Sequence, residues 1–102
     1  MIARSWKVWT TVELAEQVAP YLERTGVGRA RDTAGNQGAI LMRRPAADGT
    51  VEFWLLTFWE SEEAIRAFAG DDVGRAVLYP EDEAHFTRAA AEVDHFAVVT
   101  EG

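Results

Sequence analysis

Residues 51–64 read Val51-Glu52-Phe53-Trp54-Leu55-Leu56-Thr57-Phe58-Trp59-Glu60-Ser61-Glu62-Glu63-Ala64, and the first nine decide the fold. β-Branched and aromatic residues dominate Val51–Trp59, as a strand requires. Side chains alternate across a strand, so Phe53, Leu55 and Trp59 share one face while Trp54, Leu56 and Phe58 share the other. Both faces are apolar. A strand in a sheet covered on one side alternates apolar with polar, so this pattern predicts a sheet covered on both faces.

Outward from this strand, Ser61 is positioned as an N-cap, and Glu62 and Glu63 suit the positive end of a helix dipole. Ala64, Ile65, Phe68 and Ala69 form the buried stripe of that helix, and Gly70 stops it. Upstream, Gln37–Arg44 (QGAILMRR) reads as a strand joined to the first by a turn over residues 45–49. Before it, Val27–Gly38 carries Gly28, Gly35, Asn36 and Gly38 and reads as irregular chain. Thr10-x-x-Glu13 has capping-box spacing, and Ala15, Val18, Ala19 and Leu22 follow at helical spacing. Pro20 is expected to kink or divide that helix, and Gly26 to cap its C-terminus. Arg4–Thr10 is a further strand. On the far side, Asp71–Tyr79 gives no clear pattern, Pro80 with Glu81, Asp82 and Glu83 reads as a helix start, and Val93–Thr100 is the last strand.

The order is strand, helix, strand, strand, helix, strand. This is the split βαββαβ pattern of a ferredoxin-like α+β sandwich, a four-stranded antiparallel sheet with helices on one face. Such a layout leaves the second apolar face bare, and a large bare apolar face marks an interface. Face-to-face homodimerisation through the sheet is therefore expected.

The 102 residues form a single domain that buries roughly 60–70% of its extended surface, which makes a small core. With 48% hydrophobic and 26% charged residues, the chain is neither disordered nor a coiled-coil rod. Four Trp, five Phe and two Tyr are generous for this length. The charge of −7 argues against nucleic acid and anionic membrane as partners. Without cysteine there is no disulfide, thiol nucleophile or zinc thiolate. The first residues lack the apolar core of a signal peptide and no run approaches the ~20 apolar residues of a membrane span, so a cytoplasmic location is the expectation.

No metal-ligand constellation, phosphate loop, dinucleotide fingerprint or nucleophile elbow is present, so neither metal nor cofactor is expected. Acid–base chemistry beside an aromatic pocket, or binding alone, remains. His95 falls in phase with Val93, Ala97 and Val99, on an otherwise apolar face, and an imidazole there suits a general base. Tyr79 and His85 flank the Pro80 helix start, in the kind of segment that roofs a cavity. His95, His85 and Tyr79 are the candidate catalytic residues, against the alternative of a buried structural His and a solvated Tyr–His pair. Trp6, Trp54, Phe58 and Phe68 are the candidate substrate-binding aromatics, and core or interface filling is the competing reading. Trp59, at a strand end, is expected at the dimer seam. Arg29, Arg31, Arg43 and Arg44 read as a solvated face.

The run Thr57-Phe58-Trp59-Glu60-Ser61-Glu62-Glu63-Ala64-Ile65-Arg66-Ala67-Phe68 resembles the strand-to-helix motif of the dimeric α+β barrel superfamily, in particular its antibiotic-biosynthesis-monooxygenase group. Val93-Asp94-His95-Phe96-Ala97-Val98 is similar to that group's last strand, and Gly35-Asn36-Gln37-Gly38 and Tyr79-Pro80-Glu81-Asp82 to stretches of its uncharacterised members. The resemblance covers nearly the whole chain. It implies one monooxygenase-like domain over residues 1–102 and a cofactor-independent oxygenase of planar aromatic or polyketide-type molecules, as in antibiotic biosynthesis. A non-catalytic dimeric binding or stress-associated domain is the alternative, and a polyketide cyclase or lyase or a haem-binding relative stands further off. The haem-degrading branch carries a Trp and, ten residues on, a His; the matching positions here are Phe68 and Leu78. The cyclase branch uses a Tyr and a His six residues apart. Tyr79 and His85 have that spacing, but the aligned positions are Phe68 and Gly74.

Overall fold

The computed structural model describes residues 1–102. Strand β1 (Ile2–Thr10) is followed by α1 (Ala15–Leu22), a wider π-helical stretch (Glu23–Gly28) and one closing turn, α2 (Arg29–Arg31). Next come β2 (Asn36–Pro45), β3 (Val51–Trp59) and α3 (Glu62–Ala69). An irregular segment then carries a short 3₁₀ turn (Pro80–Ala84) and the two-residue β4 (Arg88–Ala89), before β5 (Asp94–Ala97).

β3 pairs antiparallel with β2 and with β1, where Ile2 lies opposite Trp59 and Thr10 opposite Val51. β4 and β5 both pair with the free edge of β1, so the sheet has five strands in four positions. The order β2-β3-β1-β4/β5 is that of the ferredoxin-like α+β sandwich read from the sequence. The last strand is shorter than Val93–Thr100, and half of the fourth position is taken by β4 instead.

Helices cover one face. Val8, Phe53, Val18, Tyr21 and Leu22 make one core cluster under α1. Trp59, Ala30, Ala64 and Ile65 make a second under α2 and α3. Trp59 is wholly buried and donates its indole N–H to Thr57 Oγ1 at 2.8 Å, so it belongs to the monomer's core and not to a dimer seam. Ser61 caps α3 as expected, its hydroxyl accepting from the Ala64 N–H at 3.2 Å.

The opposite face is uncovered in the single chain. It carries Ala3, Leu56, Phe58, Trp54, Ile40, Met42 and Phe96, of which Ile40, Met42 and Phe96 are exposed. The two-faced character of β3 thus leaves a second apolar sheet face that this chain does not cover.

Three local expectations change. Thr10 ends β1 with a buried side chain that donates to the His85 carbonyl at 2.6 Å, and α1 starts from Leu14 without a side-chain cap, the Thr11 hydroxyl accepting from Leu14 N–H at 3.2 Å in the preceding turn. Pro20 lies inside α1 without breaking it, and the winding widens only at Glu23. Gly26 does not end the helix. A Cβ there would lie 2.9 Å from Leu55 Cδ2, so this glycine lets the helix descend onto the sheet. Gly35 is the position that needs positive φ (+90°), and a Cβ on it would meet that of Ala64 at 2.5 Å.

Candidate functional site

A cavity lies between the helical layer and the sheet, beneath the irregular segment after α3. β1 supplies Arg4 and Trp6, β3 supplies Leu55 and Thr57, and the π-helical stretch supplies Thr25 and Gly26. Phe68 of α3 lines it, as do Val77, Tyr79, Asp82 and Val93 from the later segment, and Leu22 closes the wall. Its free volume is about 30 Å³. That is room for one or two waters, so a planar ligand enters only if the roofing segment moves.

Arg4 is the unexpected member. It is 4% exposed, and β-alternation puts it in phase with Trp6 and Val8 on the helix-covered face. Its Nη1 donates to the Val73 carbonyl at 2.6 Å, its Nη2 to the Arg75 carbonyl at 3.2 Å, and Nη1 also reaches His95 Nε2 at 3.1 Å. None of the structure's ion pairs includes it. Burial lowers its pKa to about 10, which leaves it a cation at neutral pH. The guanidinium stitches the segment around Val73–Arg75 to the sheet.

His95 lies across from Arg4 on β5, half-buried. Arg has donors only, so His95 Nε2 accepts and its proton sits on Nδ1. Burial first, and then the Arg4 cation, hold its pKa below the usual imidazole value. It does not line the cavity, and its one acceptor nitrogen is taken.

Tyr79 does line the cavity, and its buried hydroxyl has no hydrogen-bond partner. Burial raises the pKa of this phenol, against the pull of the Arg29 guanidinium, which approaches the hydroxyl as a donor though not within hydrogen-bond geometry, its Cζ 5.1 Å from the ring centre. Asp82 fixes the tyrosine's backbone. One carboxylate oxygen accepts the Tyr79 N–H at 2.8 Å, and the other accepts a short bond from the Tyr21 hydroxyl. That tyrosine's pKa is pushed above its ordinary range by burial first, then by Asp82.

His85 is directed elsewhere. Its ring stacks on Tyr21 at 3.9 Å and 8°, and its Nδ1 lies 2.9 Å from the Glu81 carbonyl, to which it therefore donates. Tyr79 and His85, paired in sequence spacing, thus diverge around the turn. Of the candidate aromatics, Trp6 and Phe68 line the cavity. Trp54 and Phe58 occupy the uncovered face of the sheet, where Trp54 Nε1 donates to Ser5 Oγ at 2.7 Å and Lys7 Nζ sits 4.9 Å from its ring. The structure brings together Tyr79, Trp6 and Phe68; it leaves His95 one residue removed, and His85, Trp54 and Phe58 outside.

Arg4, Thr57, Asp82 and Gly26 were not among the site residues expected from the sequence, where Gly26 and Asp82 had only roles at helix ends. For Arg4 a signal was present: strict alternation along β1 puts a charge on the buried face.

No protein-family model and no curated protein sequence matches the chain. Solved structures do. Rv0793 of Mycobacterium tuberculosis is 20% identical over 98% of this chain and 96% of its own, with a TM-score of 0.64. A variant of MhuD with two manganese protoporphyrins bound per active site is 18% identical over 100% and 98%, with a TM-score of 0.69. A protein described as an antibiotic biosynthesis monooxygenase is 15% identical over 98% and 100%, with a TM-score of 0.67. MhuD, also from M. tuberculosis, is described as a heme-degrader. The chain has the fold of the antibiotic-biosynthesis-monooxygenase-like proteins, as the motifs around Trp59 and His95 implied.

The residues here do not fit a haem iron. No imidazole lines the cavity: His95 Nε2 is held by Arg4, and His85 is stacked on Tyr21. Phe68 occupies part of the cavity wall, its ring 5.3 Å from that of Trp59.

Proposed function

We propose that the chain is a cofactor-independent monooxygenase-like enzyme for a planar phenolic or quinol-type molecule, working as a homodimer closed over its apolar sheet face. The observation that supports it is the Tyr79 hydroxyl, buried without a partner in a cavity walled by Trp6 and Phe68. A buried donor left unpaired costs about 1–3 kcal/mol, and a substrate oxygen placed against it recovers that cost.

In this reading the aromatic walls sandwich the ring, and Tyr79 donates to the oxygen that gains negative charge as the substrate is oxidised. An electron-rich carbanion supplies the electrons itself. Dioxygen adds at the anionic carbon to give a hydroperoxide, which loses water to leave a carbonyl; a CH₂ and O₂ become C=O and H₂O. The general-base role anticipated for His95 or His85 has no geometric support, because neither ring reaches the cavity. Asp82 does line it, with both oxygens already accepting. The substrate's proton therefore leaves to solvent rather than to a side chain, and His95 acts only by positioning Arg4.

The test supplies ¹⁸O₂ with a panel of anthrones and quinols under metal-free conditions. One labelled oxygen in the product is expected. Neither label nor substrate loss across the panel rejects the reading, and favours the non-catalytic binding domain, which the small cavity also suits. Turnover without oxygen would point to a cyclase or lyase.

A further inference from the structure

We infer that the cavity is an anion site, and that its ligand carries a carboxylate or phenolate oxygen on an aromatic frame, with Arg4 as the residue that selects it. This rests on the same cavity as the oxygenase reading, and makes a claim that reading does not require.

Three features converge. The first is an uncompensated charge: Arg4 is 4% exposed and has no carboxylate partner, although the chain has seventeen acids. A guanidinium has five N–H donors. Arg4 uses three hydrogen bonds within the protein, which leaves two donors unspent at the cavity wall. Because one protein acceptor is a neutral imidazole and two are carbonyls, none of these bonds cancels the charge.

The second feature is Thr57. It stands directly opposite Arg4 on β3, so their side chains are neighbours on the cavity face. Its oxygen accepts from Trp59, and its own proton remains to be donated. The third is the unpartnered Tyr79 hydroxyl. The wall therefore offers surplus donors around Arg4, and the one carboxylate it contains, Asp82, accepts from Tyr21 and Tyr79 and forms no ion pair with Arg4. Such a set favours a ligand oxygen that only accepts, and favours it most when charged. Trp6 and Phe68 supply flat apolar surface for the remainder.

Matched pairs of small aromatics measured by isothermal titration calorimetry test this. The carboxylate pair is 2-naphthoate against 2-naphthamide. The phenolate pair is 4-nitrophenol, at a pH where it is ionised, against 4-nitroanisole. The anion is expected to bind about tenfold or more tightly than its neutral partner in at least one pair, and that pair identifies the ligand's anionic group. Arg4→Gln should abolish the preference and Arg4→Lys should keep most of it. Should Arg4→Gln fail to fold, Tyr79→Phe serves instead. Its lost hydroxyl has no protein partner, and it should weaken the anion several-fold while leaving the neutral ligand unchanged. Equal affinity within both pairs, or no binding of any of the four, overturns the inference. The readout is independent of turnover. Anion preference without oxygen incorporation leaves this site standing and removes the oxygenase reading, whereas incorporation into neutral substrates without anion preference does the reverse.

Discussion

Replacing Asp82 with Ala should destabilise the protein far more than a residue in a short turn ordinarily would. The carboxylate does two things. It accepts the Tyr79 N–H at 2.8 Å, as an N-terminal cap of the Pro80–Ala84 turn, and it accepts the hydroxyl of the buried Tyr21. Loss of a cap costs about 0.5–2 kcal/mol. Leaving the Tyr21 hydroxyl, on a side chain only 3% exposed, without an acceptor costs about 1–3 kcal/mol more. The combined loss is about 1.5–5 kcal/mol, or about 6–40 °C in Tm for a domain of this size. Thermal and urea denaturation of Asp82→Ala, Tyr21→Phe and the double variant closes the cycle. Because Tyr21→Phe removes the orphaned hydroxyl, Asp82→Ala should cost about 1–2 kcal/mol less in that background. Additive losses, or a single-variant loss under about 0.5 kcal/mol, would refute the argument that this carboxylate ties the cavity roof to α1.

Tyr79→Phe should stabilise the protein by about 1–3 kcal/mol in chemical denaturation, since it deletes a buried hydroxyl with no partner, yet it should slow any turnover measured. The His95 pKa is depressed in the folded state, so the unfolded chain binds its proton first on acidification. Its contribution is therefore intact above the ordinary imidazole value, about 6.5, and is lost as pH falls from there toward the depressed folded value. Tm measured from pH 8 to pH 5 should fall on this limb, and His95→Gln should flatten it. The bare sheet face predicts a dimer in solution. Sedimentation should give twice the chain mass for the native protein and the monomer mass for Phe58→Glu, which sets a charge in the middle of that face.

How legible was this in the residues? The strand Val51–Trp59 announces the sheet because both of its faces are apolar and its composition is extreme in β-branched and aromatic residues. Ser61 caps α3 because the local chemistry of a hydroxyl before two glutamates needs nothing from elsewhere in the chain. The misread positions are those whose role is set by a distant partner. Thr10 reads as a cap by its spacing to Glu13, and what overrides that is its place in the buried phase of β1, where it bonds to the His85 carbonyl. Gly26 reads as a cap because it lacks a Cβ, and the actual use of that absence is the approach of Leu55 from across the sheet. The cavity suffered in the same way. Tyr79 and Phe68 could be named, but that His85 turns onto Tyr21, and that His95 spends its acceptor on Arg4, depends on contacts spanning 64 and 91 residues respectively.

The two faces of the sheet carry a comparison that bears on Arg4. Glu52, on the uncovered face, is also a buried charge, at 8% exposed. It is neutralised twice, by Arg44 Nε at 2.8 Å and Lys7 Nζ at 3.8 Å. Stability alone asks for that treatment, because an isolated ion taken out of water costs several kcal/mol. Arg4 lies on the neighbouring strand and is buried more deeply, yet it receives only neutral acceptors. Stitching Val73 and Arg75 to β1 requires donors and not a charge, so a neutral side chain would perform it at lower cost. Asp82, on the same cavity wall and 7% exposed, likewise has only neutral partners and forms no ion pair with Arg4, although the chain has seven more acids than bases. The arrangement that is wasteful for folding is the one an anionic ligand would complete, and it occurs at the same wall as the single buried hydroxyl the protein leaves unpaired.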